Sequence, residues 1–430
     1  MFEVFGNAWK VPDLRRKMLY TVMILVVFRL GSSIFVPFLD PTRIAALVGE
    51  GTLLEFMNTI TGGALGNGTL FAMSITPFIN ASIIMQLLVV ALPPLERIQK
   101  EGDEGRKKIN TITKFVALGI ALFQASAFYI SLRNYGAVTY TDGVSGFIAM
   151  ITIVGSFAAG ASLIIWLGDR ISENGIGNGV SMLLFAGIVS RIPNSIMGLF
   201  KQMSVERTQN YVLVPLILVI YIAMIAFVVL MTQAERRIPV QYAKRVVGRK
   251  MYGGQSSHIP IKVAMAGVMP IIFAMSIMSL PQTILYFFGI DGNKEGFWDG
   301  FLRAFNQNTL IYGVLYFVMI IGFNYFYIAM QYNPVEIANN LKKNNGAIPG
   351  IRPGKPTSDF IQSSLSKITL IGAIFLGFIA IFPIIFTNVT KVSGLAMGGT
   401  TLLIVVGVAL ETVRTLESMT MMRSHKGFLE

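Results

Sequence analysis

Stretches of about 20 mainly apolar residues, the length that crosses a bilayer as an α-helix, recur along the chain between polar segments. Ten such windows cover residues 19–39, 70–92, 115–132, 147–167, 180–200, 211–231, 263–288, 310–331, 368–387 and 395–410. The fifth window is interrupted by Arg191 and Pro193. This pattern predicts an all-α, polytopic membrane protein with ten transmembrane helices.

Residues 53–92 depart from the pattern. Their first part is short and amphipathic and contains four glycines: Gly62, Gly63, Gly66 and Gly68. Their second part is apolar but carries Pro77, Asn80 and Gln86. A break of this kind leaves backbone groups unpaired, and such backbone persists at membrane depth only when it is buried in protein or lines water. The stretch therefore indicates an aqueous path.

The ten windows divide into two sets of five, in residues 1–205 and 206–430, joined by the linker 201–210. Five crossings place the start of the second set on the opposite side of the membrane. Any internal repeat must therefore be inverted. We predict two domains that correspond to these two halves.

Composition and charge support a membrane protein and orient it. Hydrophobic residues make up 53% of the 430 residues and charged residues only 13%, too few to cover a soluble protein of this length. Of 35 Lys and Arg residues, 26 lie in segments predicted on the side of the N-terminus, 8 lie on the other side, and Arg29 lies within a helix. This bias predicts cytoplasmic N- and C-termini. The first window is as long as a full span, which favours a retained helix over a cleaved signal peptide.

Two cytoplasmic segments, 233–262 and 332–367, are longer than a connector requires. The first has two extended segments around a glycine-rich turn, which predicts a hairpin-like protrusion. The second opens with a predicted helix that has Pro334 in its first turn and Gly346 past its end, and continues as a Pro- and Gly-rich irregular stretch. These loops are either a docking surface or merely solvated segments beside lipid headgroups.

The sequence gives no warrant for catalysis. No Asp or Glu lies in the middle of a window, whereas proton-coupled transporters and intramembrane proteases require buried ionisable groups. HExxH, Walker and catalytic GxSxG motifs are missing, and the chain has no cysteine, so we expect no enzyme, metal or cofactor. Arg29 is the one deeply placed charge, and we expect it to pair with carbonyls or a polar group inside the bundle rather than to contact substrate.

The chain resembles the SecY-type protein-conducting channel, the central subunit of the general protein translocon. The resemblance runs along nearly the whole chain. It is carried by FRLGSSIFVP (28–37), TGGAL (61–65), INASIIMQLL (79–88), EGDEGRKKI (101–109), NGIGNGVSMLLFAGIV (174–189), RRIPVQYAKR (236–245), QSSHIPIKVAMAGVMP (255–270), NPVEIANNLKK (333–343), PGIRPGKPT (349–357) and GGTTLLIVV (398–406). Ten segments in the family's order make the match specific.

The resemblance implies that the two halves surround a central hourglass pore. The amphipathic piece 53–65 is similar to the plug that blocks the external funnel, with residues Leu53, Leu54, Phe56, Met57, Ile60, Gly62, Gly63 and Leu65. The family's hydrophobic pore ring falls on Ile75, Ile79, Leu184, Ile188, Ile272 and Ile404. A ring of aliphatic side chains excludes water and ions by dewetting. Taken singly, each of the six is an ordinary apolar residue of a membrane helix.

The resemblance also implies a lateral gate and a docking surface. The gate opens to lipid between the second, third, seventh and eighth helices, near Asn80, Gln86 and Gln124, although such polar residues also serve as interhelical glue. Contacts to the SecA motor ATPase and to ribosomal RNA fall on Arg245, Arg249, Lys250 and Arg352. Lysine replaces the second member of the family's arginine pair at position 250, which weakens any bidentate contact there.

The function that follows is a passive channel in the bacterial plasma membrane. It translocates unfolded secretory polypeptides, recognises their signal sequences and releases apolar segments into lipid, with energy from a ribosome or motor ATPase. SecE- and SecG-type small subunits are the implied membrane partners. Two rivals remain: an ion-coupled transporter, which also uses inverted repeats and broken helices, and an insertase without a through-pore.

Overall fold

The computed structural model describes the chain except for residues 1, 48–57, 206–209, 243–244, 248–249, 253–255, 288–296, 305–308, 391–398 and 425–430. In residues 1–205 the helices are α1 Phe2–Lys10, α2 Pro12–Gly31, α3 Pro41–Leu47, α4 Thr76–Ala91, α5 Pro93–Lys100, α6 Asp103–Asn134, α7 Gly143–Asn174 and α8 Gly179–Val205. In residues 206–430 they are α9 Asn210–Gln233, α10 Met269–Phe287, α11 Phe297–Ala304, α12 Leu310–Gln331, α13 Pro334–Lys343, α14 Lys355–Thr390 and α15 Gly399–Ser424.

Each of the ten predicted windows overlaps one helix: α2, α4, α6, α7, α8, α9, α10, α12, α14 and α15. By length and hydropathy, six of the described helices can cross a membrane: α6, α7, α8, α9, α12 and α14. The pair α4 and α5, bent by 99°, would make a seventh span. The prediction of a mainly helical membrane protein therefore holds.

The first predicted window does not coincide with the helix that it overlaps. Helix α2 begins at Pro12, where the fixed φ of proline suits a first turn, and ends at Gly31. Arg29, at the centre of the window 19–39, therefore lies in the last turn of the helix. Apolar residues beyond Gly31 extended the window although they are not helical; Val36, for example, is buried in irregular backbone. Hydropathy measures how apolar a segment is, and it therefore does not distinguish a membrane helix from an apolar loop.

The second window is shortened. Helix α4 starts at Thr76 with Pro77 in its first turn, and the residues before it form turns in which Ser74 has a φ of 50°. A positive φ at a non-glycine residue is strained and needs support from its surroundings. Residues 70–75 therefore form turns that precede α4 and are not part of the helix.

The loop 233–262 forms the predicted hairpin. Strand β1 Glu235–Tyr242 pairs antiparallel with β4 Ser256–Lys262, and β2 Arg245–Val247 pairs with β3 Lys250–Tyr252. The predicted helix of the second loop is also confirmed as α13, which is capped by Asn333: its side-chain oxygen accepts hydrogen bonds from the amides of Val335 and Glu336.

One feature of the second loop was not predicted. Gly346 and Ala347, expected outside regular structure, form strand β5 and pair with β1. A three-stranded sheet in the order β4-β1-β5 thereby joins the two loops. Their shared apolar core consists of Ile238, Val240, Ile261, Leu341, Ile348, Ile361, Leu365 and Ile368. We call this joined structure the loop platform; it also makes the all-α prediction incomplete.

Buried apolar residues of the spanning region form three main clusters. The first lies within residues 1–205 and includes Leu65, Phe128 and Phe157. The second lies within residues 206–430 and includes Ile271 and Leu376. The third, the central cluster, contains residues of both halves. The halves also touch along two seams, α10 against α4 and α6, and α8 against α9 and α15, and at a further contact of α1 with α15.

Segments predicted on the same side of the membrane contact one another. On the cytoplasmic side, Ala8, Leu14, Ile176 and Leu416 form one cluster, which joins α1, α2, the α7–α8 connection and the end of α15. On the other side, the loops after α2 and α6 form an isolated bridge between Leu39 and Val138. The side assignment of the connections is thus internally consistent.

Gly160 of α7 offers a direct test of this packing. A Cβ at position 160 would lie 1.9 Å from the carbonyl oxygen of Leu70. Gly160→Ala must push the two segments apart, and we expect a cost of about 1–3 kcal/mol, seen as a lower midpoint of thermal unfolding in detergent. Gly155→Ala on the same helix is the control, because no described neighbouring atom lies within 4 Å of that Cβ. Equal midpoints for the two variants would contradict the packing.

Candidate functional site

The six residues expected to form a ring all lie in the central cluster. Ile75 and Ile79 come from the start of α4, Leu184 and Ile188 from α8, Ile272 from α10 and Ile404 from α15. Five are buried, and Ile79 is half-buried and packs against the others. Four helices, two from each half, thus bring aliphatic side chains to one place.

This cluster can exclude water without holding a solute. Aliphatic side chains offer neither hydrogen bonds nor charge, and a narrow passage lined by them gates by dewetting. They also form no strong contact that would retain a chain moving past them. The chemistry fits a constriction and differs from a transporter site, which needs polar ligands.

The glycine-containing segment 58–69 is tied together by polar contacts. The side-chain oxygen of the buried Asn58 accepts from the Gly66 amide at 2.8 Å, and the Asn58 carbonyl accepts from the Gly63 amide at 2.8 Å. Thr69 Oγ1 donates to the Ala64 carbonyl at 3.0 Å. Backbone groups left open by the helix break therefore find partners within the segment, as membrane depth requires.

This segment packs onto the central cluster. Ala64 is 1% exposed and belongs to the cluster, while Ile60 packs against both the central cluster and that of the second half. Leu65 instead joins the cluster of the first half. Of the predicted plug residues, Leu53, Leu54, Phe56 and Met57 lie outside the described residues.

Gly62 and Gly63 adopt backbone that other residues rarely adopt, with φ values of 67° and 94°. Gly187 of α8 contacts the same turn closely: a Cβ at position 187 would lie 2.1 Å from the carbonyl oxygen of Ile60. The turn is therefore seated backbone to backbone on α8. Gly187 could not be predicted to make this contact, since nothing in its apolar surroundings in the sequence signals such an approach.

The predicted gate residues lie on helices that meet at the seam between the halves. Helices α4, α6 and α10 contact one another, and α10 also contacts α12. Asn80 and Gln124 are 2% and 7% exposed. Among the described residues, both amide atoms of Asn80 and Oε1 of Gln124 have no hydrogen-bond partner. A buried polar group without a partner costs about 1–3 kcal/mol, so these three atoms do not stabilise the packing of their helices.

Gln86 behaves differently. Its Nε2 donates to Ser82 Oγ at 3.2 Å within the same helix, so this contact does not join two helices. Both side chains line a cavity of about 210 Å³ between α4, α5, α6 and the end of α12, together with Gln99, Arg106 and Asn110. The cavity lies on the side of the seam that is predicted to face the cytoplasm.

The predicted docking residues belong to the loop platform. Arg245 lies in β2 opposite Tyr252, and Lys250 lies in β3 opposite Val247; Arg249 lies outside the described residues. Arg352 is exposed between Gly350 and Gly354, which have φ values of 81° and 112°. Its carbonyl accepts from Thr357 Oγ1 at 2.8 Å. A fixed turn thus presents this guanidinium to solvent.

The base of the hairpin is electropositive. Burial, and then the nearby Arg414, lower the pKa of the Lys262 ammonium. Opposite Lys262 in the sheet, a hydrogen bond from Arg237 lowers the pKa of the Glu235 carboxyl, which stays ionised. Positive charge is therefore concentrated where the platform meets the spanning helices.

Comparison with known proteins agrees with this architecture. The SecY family profile matches residues 69–413. The chain is 40% identical over 439 residues to protein translocase subunit SecY of Halalkalibacterium halodurans, and 38% identical over 452 residues to that of Mycobacterium tuberculosis, with 100% of each chain covered in both cases.

Solved structures share the fold at lower identity. A protein-conducting channel matches with a TM-score of 0.62 and 21% identity, over 94% of this chain and 92% of that one. Sec61 in the canine ribosome–channel complex matches with a TM-score of 0.58 and 19% identity, with the same coverage. Similarity over the full length, together with the matching fold, shows that the chain belongs to the SecY family.

Proposed function

We propose that this protein is a protein-conducting channel that translocates unfolded secretory polypeptides across the bacterial plasma membrane and releases apolar segments sideways into lipid. The observation that carries the proposal is the convergence of Ile75, Ile79, Leu184, Ile188, Ile272 and Ile404, from both halves of the chain, in one apolar cluster between them. We take this cluster as the pore ring of the closed channel.

The proposed topology has ten spans in two inverted halves, residues 1–205 and 206–430, around an hourglass pore, with both termini in the cytoplasm. Support comes from the overlap of each window with a helix, from the contacts among segments of the same predicted side and from the 26-to-8 distribution of basic residues. Helices α2, α4, α10 and α15 complete the ten, although they are shorter or more polar than the six long apolar helices.

We assign residues 53–65 to a plug and the glycine-rich break at residues 62–68 to the plug hinge. Ile60 and Ala64, which pack on the central cluster, support this assignment. The seam between α4, α6, α10 and α12 is the proposed lateral gate. The buried amide of Asn80 and the buried Oε1 of Gln124, which have no partner among the described residues, suit a gate, because a polar backbone or a water molecule that enters the opened seam can satisfy them.

The loop platform is the proposed docking surface for a motor ATPase and a ribosome. Solved relatives include ribosome-bound channels of dog and yeast. The exposed guanidinium group of Arg352 is suited to bind phosphate of ribosomal RNA, where Lys and Arg contacts dominate affinity. By family membership, SecE- and SecG-type subunits complete the membrane complex, and the channel itself performs no catalytic step.

Crosslinking of a secretory chain stalled during export tests the function. With a photoreactive amino acid at Ile79 or Ile188, we expect the stalled chain to crosslink at both positions. Ile153 is the control position, because it is fully buried in the cluster of the first half, away from the proposed path. Crosslinks at all three positions, or at none, would overturn the proposed path.

The two rival functions predict other results. An ion-coupled transporter should bind a small solute tightly and saturably when purified. An insertase without a through-pore should give crosslinks to apolar segments at the seam and none to a hydrophilic stalled chain at Ile188.

A further inference from the structure

The proposed channel mechanism assigns no role to the charged side chain of Arg29. It lies two residues before the end of α2. Its guanidinium Nη1 donates to the carbonyl oxygen of Gly62 at 3.0 Å and lies 3.4 Å from Oγ of Ser190 on α8. This confirms the expected pairing with a carbonyl. One side chain therefore connects α2, the plug hinge and α8.

Ser190 is arranged to take part in this contact. Its hydroxyl donates to the carbonyl oxygen of Gly187, one turn earlier in α8, at 2.7 Å. A serine hydroxyl has one hydrogen to donate and two lone pairs to accept with. Since the hydrogen is used within the helix, the lone pairs can accept from Arg29.

The surroundings of the hinge leave it little freedom to shift. A Cβ at Gly62 would lie 2.7 Å from Ser190 Oγ and 3.1 Å from the Gly187 carbonyl oxygen. A Cβ at Gly63 would lie 3.4 Å from the guanidinium carbon of Arg191, the next residue of α8. The hinge is thus seated on α8, and Arg29 reaches it from α2.

We propose that Arg29 is the positioning residue that holds the plug hinge on α8, so that the seal opens only when the hydrogen bond to Gly62 breaks. We call the hydrogen bond from Arg29 to the Gly62 carbonyl the latch; its role rests on the proposed role of residues 53–65 as a plug. A charged donor makes a hydrogen bond about twice as strong as a neutral one.

Cysteine labelling in proteoliposomes tests the latch. The chain has no cysteine of its own, so Ala64→Cys, at a position 1% exposed in the central cluster, reports on the hinge alone. When Arg29→Met is added, we expect the cysteine introduced at position 64 to react about tenfold faster with a membrane-impermeant maleimide, since a hydrogen bond to a charged group is lost. Arg29→Lys keeps a charged donor and should return the rate toward the slow value.

Two further variants distinguish the loss of this hydrogen bond from a general loosening of the structure. Ser190→Ala should raise the rate less than Arg29→Met and should add nothing when combined with it, because both act on one contact. Arg43→Met is the matched control: Arg43 also donates from Nη1 to a backbone carbonyl, that of Gly136 at 2.7 Å, but away from the hinge. It should leave the rate unchanged.

Labelling at Ala125→Cys, fully buried in the first-half cluster, reports on unfolding. If Arg29→Met speeds labelling at both cysteines, or at neither, the latch is wrong. If deletion of residues 53–65 opens the channel while Arg29→Met leaves Ala64→Cys slow, the latch fails and the plug stands. If that deletion has no effect on conductance, the plug itself fails, and with it the role assigned to Arg29.

Discussion

Deletion of residues 53–65 is expected to raise the resting ion conductance of the reconstituted channel at least about tenfold. The deletion removes Ile60, which packs on the central cluster, and Leu65, which anchors the segment in the first half. Burial of one such side chain contributes about 1.5–3 kcal/mol, and about 1.4 kcal/mol shifts an equilibrium tenfold. Single-channel recording in planar bilayers measures the effect.

Loss of packing must be distinguished from loss of the seal. Leu14→Ala supplies that control, since it leaves a cavity in the cytoplasmic cluster of Ala8, Leu14, Ile176 and Leu416, which contains no plug residue. This variant should unfold at a lower temperature and keep the low conductance. If the deletion variant has the same low conductance as the unaltered channel, the central cluster seals the pore without the plug.

Arg352→Glu is expected to reduce protein export at least about a hundredfold while the channel still assembles. Arg352 is exposed and its neighbour Ile351 packs on the platform core, so the substitution alters the surface and leaves the platform folded. Loss of a hydrogen-bonded charge pair in an interface costs about 2–5 kcal/mol, and juxtaposed like charges add to that. Export of a reporter protein into membrane vesicles provides the measurement.

Two neighbouring substitutions test what the partner recognises. Arg352→Lys keeps the charge but loses the planar fork that binds carboxylate or phosphate through two hydrogen bonds, so export should fall partway. Lys355→Glu places the same charge reversal three residues away, at the exposed start of α14. An equal loss in the Lys355→Glu and Arg352→Glu variants would mean that overall charge, and not Arg352, governs docking.

Hydropathy located the six helices that are long and apolar enough to cross a membrane, and strand patterning located the hairpin, because both depend on short-range order in the sequence. It could not place the ends of α2 and α4, since the segments beside them are as apolar as the helices. Strand β5 was missed because two residues, Gly346 and Ala347, carry too little pattern to predict a pairing that depends on the distant β1.

The ring residues show a different limit. Ile79 and Ile188 are indistinguishable from other apolar residues of their helices by composition, and only the family resemblance singled them out. Their convergence depends on how four helices pack, which no local pattern encodes. Arg29 was recognised as unusual from its charge, yet its partner Gly62 is 33 residues away and binds through a backbone atom. A carbonyl leaves no signature in the sequence.

The loop platform has a mechanical consequence. It is covalently continuous with α9 through β1, with α10 through β4, and with α12 and α14 through the second loop, all of them in residues 206–430. Its apolar core includes Ile361, Leu365 and Ile368 of α14 itself, so the platform and that helix move as one piece. A partner that binds the platform, as we propose, therefore loads residues 206–430 directly and residues 1–205 only through the contacts between the halves. Those contacts include α10 against α4 and α6, the proposed lateral gate, so force on the platform would be transmitted to the gate.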